Sequence, residues 1–96
     1  MMVLVCYDIS TKDASGEQRL QKVAKKCLNY GLRVQNSVFE CNIEPSEWEQ
    51  LKHELLKIYN AEEDSLRFYY LGSNWQRRVE HYGSKKIPDI EEPMIL

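Results

Sequence analysis

Histidine, cysteine, proline and glycine are all scarce in this 96-residue chain, at two, three, three and four residues. Each shortage narrows the chemistry. Gly16, Gly31, Gly72 and Gly83 are scattered, and none belongs to a phosphate-binding loop. His53 and His81 stand far apart without a neighbouring nucleophile, so each reads as a surface residue and not a general base. Ser10, Ser15 and Ser37 have no paired base that spacing reveals, which discounts a covalent mechanism. Cys6, Cys27 and Cys41 are odd in number, widely spaced and set among apolar residues. They suit reduced core thiols better than a disulfide frame or a zinc site. No apolar run approaches the ~18 residues of a membrane span. The opening MMVLVCYDIS has neither the basic start nor the small-residue cleavage site of a secretory leader. The expectation is a cytoplasmic protein with no membrane partner.

A chain of this length is expected to form a single domain, 1–96, with 72–96 as its tail. Such a domain buries only roughly 65% of the surface its unfolded chain exposes, so a second copy would help it considerably. The net charge of −2 argues at first against an acidic partner. Its distribution argues otherwise. Lys12 to Arg33 carries six basic and two acidic residues, and Arg77 to Lys86 four basic and one acidic. Glu40 to Asp64 sets eight acids against two lysines. Segregation of this kind fits either solvated faces or a surface for a charged partner.

The apolar run Met1 to Tyr7 reads as a strand in the middle of a sheet, with Asp8 at its carboxyl end. Ser15 and Gln18 have the spacing of a capping box, and Leu20, Val23, Ala24, Cys27 and Leu28 share one helical face. Gly31 offers a left-handed stop, so a first helix is predicted from about Glu17 to about Tyr30. LRVQNSVFECNI reads as two strands joined by a tight turn at Gln35-Asn36-Ser37. Ser46 and Glu49 suggest a second capping box ahead of a stripe of Trp48, Leu51, Leu55, Ile58 and Tyr59. In DSLRFYYLG, Leu66, Phe68 and Tyr70 point one way and Arg67, Tyr69 and Leu71 the other.

The order β α β β α β is that of an α+β, ferredoxin-like antiparallel sheet with both helices on one face. The first strand is apolar on both sides, so the open face needs a cover, and a two-fold related copy is the economical one. The closing run Met94-Ile95-Leu96 would add as an edge strand to its own or the partner's sheet, unless it frays.

A lone carboxylate at the end of a core strand has two readings. Asp8 caps the following loop, or it serves a divalent cation such as magnesium, whose oxygen ligands include carboxylates. In a dimer stacked through the open faces, two Asp8 side chains would meet at the axis and share an ion that polarises a phosphodiester. Arg19, Lys22, Lys25, Lys26 and Arg33, with Arg77 and Arg78, would form a basic track for phosphates on either side of that axis. Trp75 and Tyr82 would stack on bases or anchor the tail to the core.

VLVCYDIS, GEQRLQKVAKKCLNYGLRVQNSVFECNI and DSLRFYYLG together resemble the CRISPR-associated Cas2 family, in order and over nearly the whole chain. The carriers are the Tyr-Asp pair closing the first strand, the Arg33–Glu40 run and the Asp-Ser pair opening the last core strand. The resemblance implies a homodimer whose late C-terminal strand often crosses to the partner. It implies a role in spacer acquisition, where the dimer joins the integrase Cas1 and holds duplex DNA. It also implies a magnesium-dependent endonuclease acting on single-stranded RNA or double-stranded DNA. The family's metal-binding aspartate matches Asp8, with Tyr7 beside it. Ser37 and Phe39 would shape the site, and Arg19 and Arg33 would contact phosphate. A DNA-binding scaffold without catalysis, or a toxin-like endoribonuclease of the same fold, are the alternatives. Whether a pH-dependent opening of the dimer gates the metal site is left open, since no titrating group for it stands out in the sequence.

Overall fold

The computed structural model describes residues 1–83. The expected order is present: β1 (Met2–Asp8), α1 (Ala14–Leu28), β2 (Leu32–Gln35), β3 (Val38–Asn42), α2 (Pro45–Ile58) and β4 (Ser65–Tyr70). A short 3-10 turn follows at Trp75–Arg78. The strands lie in the order β2-β3-β1-β4, every neighbouring pair antiparallel. Hydrophobic β1 therefore sits between two partners.

Register explains which side chains make the core. Val3 lies opposite Cys41 and Tyr70, Val5 opposite Phe39 and Phe68, and Tyr7 opposite Leu66. These form one face of the sheet, because alternate residues of a strand point to the same side. Val23 and Cys27 from α1, and Trp48, Leu51 and Leu55 from α2, cover that face. Trp48 meets Phe68 and Tyr70 edge-on, with ring centroids 4.8 and 5.9 Å apart. The Leu66, Phe68, Tyr70 alternation is as expected.

Both helix starts differ from the capping boxes read in the sequence. α1 begins at Ala14, where the Asp13 carboxylate accepts hydrogen bonds from the Gly16 N–H and the Ser15 hydroxyl, each at 2.9 Å. Asp13 displaces Ser15 as cap because a carboxylate accepts from both at once. α2 begins at Pro45, with Glu44 as its cap and the Glu47 carboxylate accepting the Glu44 N–H at 3.0 Å. Proline favours the first helical position, which moves the box back two residues from Ser46. Gly31 does not end α1 in a left-handed conformation; α1 stops at Leu28, and its capping residue Asn29 keeps right-handed dihedrals. Gly31 is small for another reason. A Cβ there would lie 2.5 Å from the Glu40 carbonyl oxygen and 2.6 Å from the Cys41 sulfur.

The second face of the sheet carries Leu4, Cys6 and Asp8 from β1, Val38 and Glu40 from β3, and Ser65, Arg67 and Tyr69 from β4. Within one chain it is not left wholly bare. Residues Glu80, His81 and Tyr82 come back beside Val34, Gln35 and Asn36 at the β2 side, where they line a shallow groove. Met2 is fully buried, and Glu40, half-buried, lies within electrostatic reach of His81. At the other end of the face Asp8, Ser65 and Arg67 are exposed. The edge strand expected from Met94-Ile95-Leu96 lies outside the described residues.

Candidate functional site

Asp8 is the last residue of β1, paired with Ser65 of β4, and its side chain is exposed on the face away from the helices. Tyr7, one residue earlier, takes the opposite face and is buried. Its ring stacks on Phe39 with centroids 6.2 Å apart. The Tyr7 hydroxyl donates to the Asn36 carbonyl at 3.4 Å, and its N–H donates to the Ser37 carbonyl at 3.1 Å. Burial raises the Tyr7 phenol above its ordinary range, while a hydrogen bond and the positive charge of Arg33 pull it partly back. The Arg33 guanidinium sits 5.1 Å from the Phe39 ring centroid, a cation–π distance.

Tyr7, Arg33, Phe39 and the backbone of Ser37 thus form one cluster at the β2–β3 turn. Asp8 is not part of it. The alternation of the strand turns the Tyr7 side chain, whose N–H meets the Ser37 carbonyl, to the helix face and the Asp8 side chain to the other. Phe39 is fully buried and belongs to the core.

Arg19 is committed elsewhere as well. Its Nε donates to Asp64 Oδ2 at 2.7 Å and its Nη2 to Asp64 Oδ1 and Glu63 Oε2, both at 3.2 Å. Nη1 reaches the Ser15 hydroxyl at 3.1 Å. With 14% of the Arg19 side chain exposed and none of the Asp64 side chain, the guanidinium expected to contact phosphate is turned inward onto Asp64. Asp64 also accepts the Ser10 N–H at 3.0 Å and the Asn60 N–H at 2.9 Å. The hydrogen bond from Arg19 first, opposed by burial and helped by those two N–H groups, holds the Asp64 carboxyl down at about 2. Asp64 is the residue that reading the sequence missed. Its one signal was the Asp-Ser pair, because a partner 45 positions away leaves no trace in spacing.

The remaining basic residues divide. Lys22 and Lys25 are exposed on α1, Lys26 lies 3.9 Å from Glu54, and Arg77 and Arg78 are exposed in the 3-10 turn. Cys27 and Cys41 are buried and free, with their thiols pushed up to about 12 by burial, so they stay protonated core residues.

Among the described residues no group of three or more His, Cys, Asp or Glu is arranged to hold a metal ion. One chain supplies the single carboxylate of Asp8. That donor is a hard, exposed oxygen and fits magnesium, which takes one or two carboxylates and fills its shell with waters and substrate phosphates. Among the described residues no helix is long and apolar enough to cross a membrane.

A ferredoxin-like sheet with an exposed aspartate closing its central strand defines a class of small α+β proteins. Comparison with known proteins gives the family. The model of the CRISPR associated protein Cas2 family matches residues 1–79. The CRISPR-associated endoribonuclease Cas2 of Chlorobaculum tepidum is 54% identical over 96 residues, covering 100% of both chains. The CRISPR-associated endonuclease Cas2 of Halalkalibacterium halodurans is 50% identical over 96 residues, again covering 100% of both. The crystal structure of Streptococcus pyogenes Cas2 at pH 6.5 superposes with a TM-score of 0.76 at 57% identity, covering 86% of this chain and 100% of that one. The chain belongs to the Cas2 family.

Proposed function

We propose that the protein is a metal-dependent endonuclease of CRISPR defence that works in the cytoplasm as a homodimer, with Asp8 of each chain facing the other across the two-fold axis. The carrying observation is the exposed Asp8 carboxylate at the end of the central strand, on the part of the second sheet face that also exposes Ser65 and Arg67. The names endoribonuclease and endonuclease borne by relatives of equal length support a phosphodiesterase reading.

In this reading Asp8 holds a magnesium ion, and the β1–β4 ladder fixes the backbone that carries it. A bound magnesium ion supplies Lewis-acid polarisation of the phosphodiester. Lys22, Lys25, Arg77 and Arg78 neutralise phosphates and position the strand or duplex without reading bases. The same dimer serves spacer acquisition by binding duplex DNA and joining the integrase Cas1, a role that rests on family membership.

The test is cleavage of labelled single-stranded RNA and double-stranded DNA by wild type and Asp8→Ala, with magnesium and with chelator. Cleavage that requires both magnesium and Asp8 supports the enzyme and names its substrate. Absent cleavage with intact duplex binding leaves a DNA-binding scaffold. Equal cleavage by both proteins overturns the role of Asp8.

A further inference from the structure

Among the described residues the most heavily bonded carboxylate is that of Asp64, which gathers Arg19, the Asn60 N–H and the Ser10 N–H, the last on the chain leaving β1. Ser10 lies two residues after Asp8, and its N–H is held by Asp64 Oδ1 at 3.0 Å. A side chain at Gly16 would collide with the Ser10 carbonyl, so the first turn of α1 presses on the same residue. Ser65, the neighbour of Asp64, is the ladder partner of Asp8. The backbone flanking Asp8 is therefore held from β4 by the ladder and from its loop by the Asp64 carboxylate. Arg19 in turn holds Asp64 through a two-pronged pair, whose fixed fork geometry orients a carboxylate more strictly than a point charge does.

We propose that Asp64 is a positioning residue for the Asp8 site, fixing the strand end through Ser10, and that Arg19 acts through Asp64 and not on nucleic-acid phosphate. The inference rests on the reading of Asp8 as the metal carboxylate, but its structural half stands apart from catalysis. Arg19 presents three of its donor atoms to Asp64, Glu63 and Ser15, and the bond to Asp64 would have to break before that nitrogen met a phosphate. Lys12 shares Glu63 at 2.7 Å, so the exposed rim of the same network is already neutralised.

The experiment compares full-length wild type, Asp64→Asn, Arg19→Gln, the double variant and Arg19→Lys. Three quantities are read: exchange of the Ser10 amide, affinity for a defined DNA duplex across a salt series, and kcat and KM for RNA cleavage. Exchange at Val5, in the centre of the sheet, reports whether each variant is folded. The proposal expects Ser10 exchange to rise at least tenfold in Asp64→Asn and Arg19→Gln, with the double variant no worse than the worse single. Duplex affinity and its salt slope stay unchanged, and kcat falls tenfold or more at constant KM. Arg19→Lys restores little protection at Ser10, because an ammonium lacks the fork.

Two results overturn it. Unchanged Ser10 exchange in a folded Asp64→Asn shows that the carboxylate does not hold the loop. Alternatively, Arg19→Gln weakens duplex binding with a salt slope smaller by about 0.9, and Arg19→Lys restores both; Arg19 is then a phosphate ligand. Should Asp64→Asn fail to fold, Arg19→Lys carries the test, since it keeps the charge and changes only the geometry. Should wild type cleave nothing, the nuclease reading fails, while amide exchange and the salt slope still decide the roles of Asp64 and Arg19.

Discussion

Tyr7 and Asp8 are consecutive residues on opposite faces of one strand: Tyr7 is buried against Phe39 on the helix side, and Asp8 is exposed on the other. The phenol therefore supports the sheet from within, while the carboxylate faces outward. Substitutions at the two positions should separate stability from activity.

Asp8→Ala removes an exposed side chain at a strand end, and its stability should stay within about 0.5 kcal/mol of wild type. Its magnesium-dependent cleavage should fall at least ~100-fold, in line with the loss of an electrostatic group at a reaction centre. Urea denaturation beside a cleavage assay checks both halves. A large loss of stability would place Asp8 in the fold and not in the chemistry.

Phe39 is fully buried, with Tyr7 on one side and Arg33 over its ring. Phe39→Ala should cost about 3–5 kcal/mol, the range for deleting a core aromatic. Arg33→Ala removes a cation–π contact from an exposed residue and should cost only about 0.5–1 kcal/mol. Comparable losses from the two would mean that Arg33, not the ring, holds the cluster together. Denaturant midpoints at a fixed slope distinguish them.

The stability contributed by Asp64 has a defined pH window. Its carboxyl is lowered from 3.8 to about 2 in the folded chain. A group depressed on folding contributes in full above its unfolded value and loses that contribution as pH falls through the folded one. Urea midpoints of wild type should therefore drop between about pH 4 and pH 2. Asp64→Asn should be less stable at neutral pH and show a shallower drop over that interval. Parallel curves for the two proteins would contradict the assignment.

Gly31→Ala should destabilise by roughly 1–3 kcal/mol, because the added Cβ meets the Glu40 carbonyl and the Cys41 sulfur. The cost is steric, so a Cys41→Ala background should recover part of it. Thermal denaturation of the two single variants and the double variant measures the coupling.

Much of the architecture was legible because it depends on local pattern. The apolar run of β1, the stripe of α2 and the alternation of β4 each announce an element, and their order defines the sheet. The start of α1 is ambiguous in sequence because Asp13 and Ser15 are equally good caps by residue type, and that of α2 because Glu44 is not a preferred cap type while Ser46 is; only the observed hydrogen bonds assign them. Asp8 was visible as a charge ending a hydrophobic strand. The commitment of Arg19 to Asp64 was not, since sequence shows an arginine on a basic helix and conceals the carboxylate that tertiary folding brings to it. The return of residues 80–82 to the β2 side was equally hidden, because a tail without periodicity gives no direction.

The central claim, that two Asp8 carboxylates make one site, is tested most directly by mixed dimers. Wild type and Asp8→Ala are unfolded together in varied proportion, refolded, and assayed for cleavage with magnesium. If both carboxylates are needed, activity per total protein falls as the square of the wild-type fraction. A linear fall would show that each chain works alone, and would contradict the shared site.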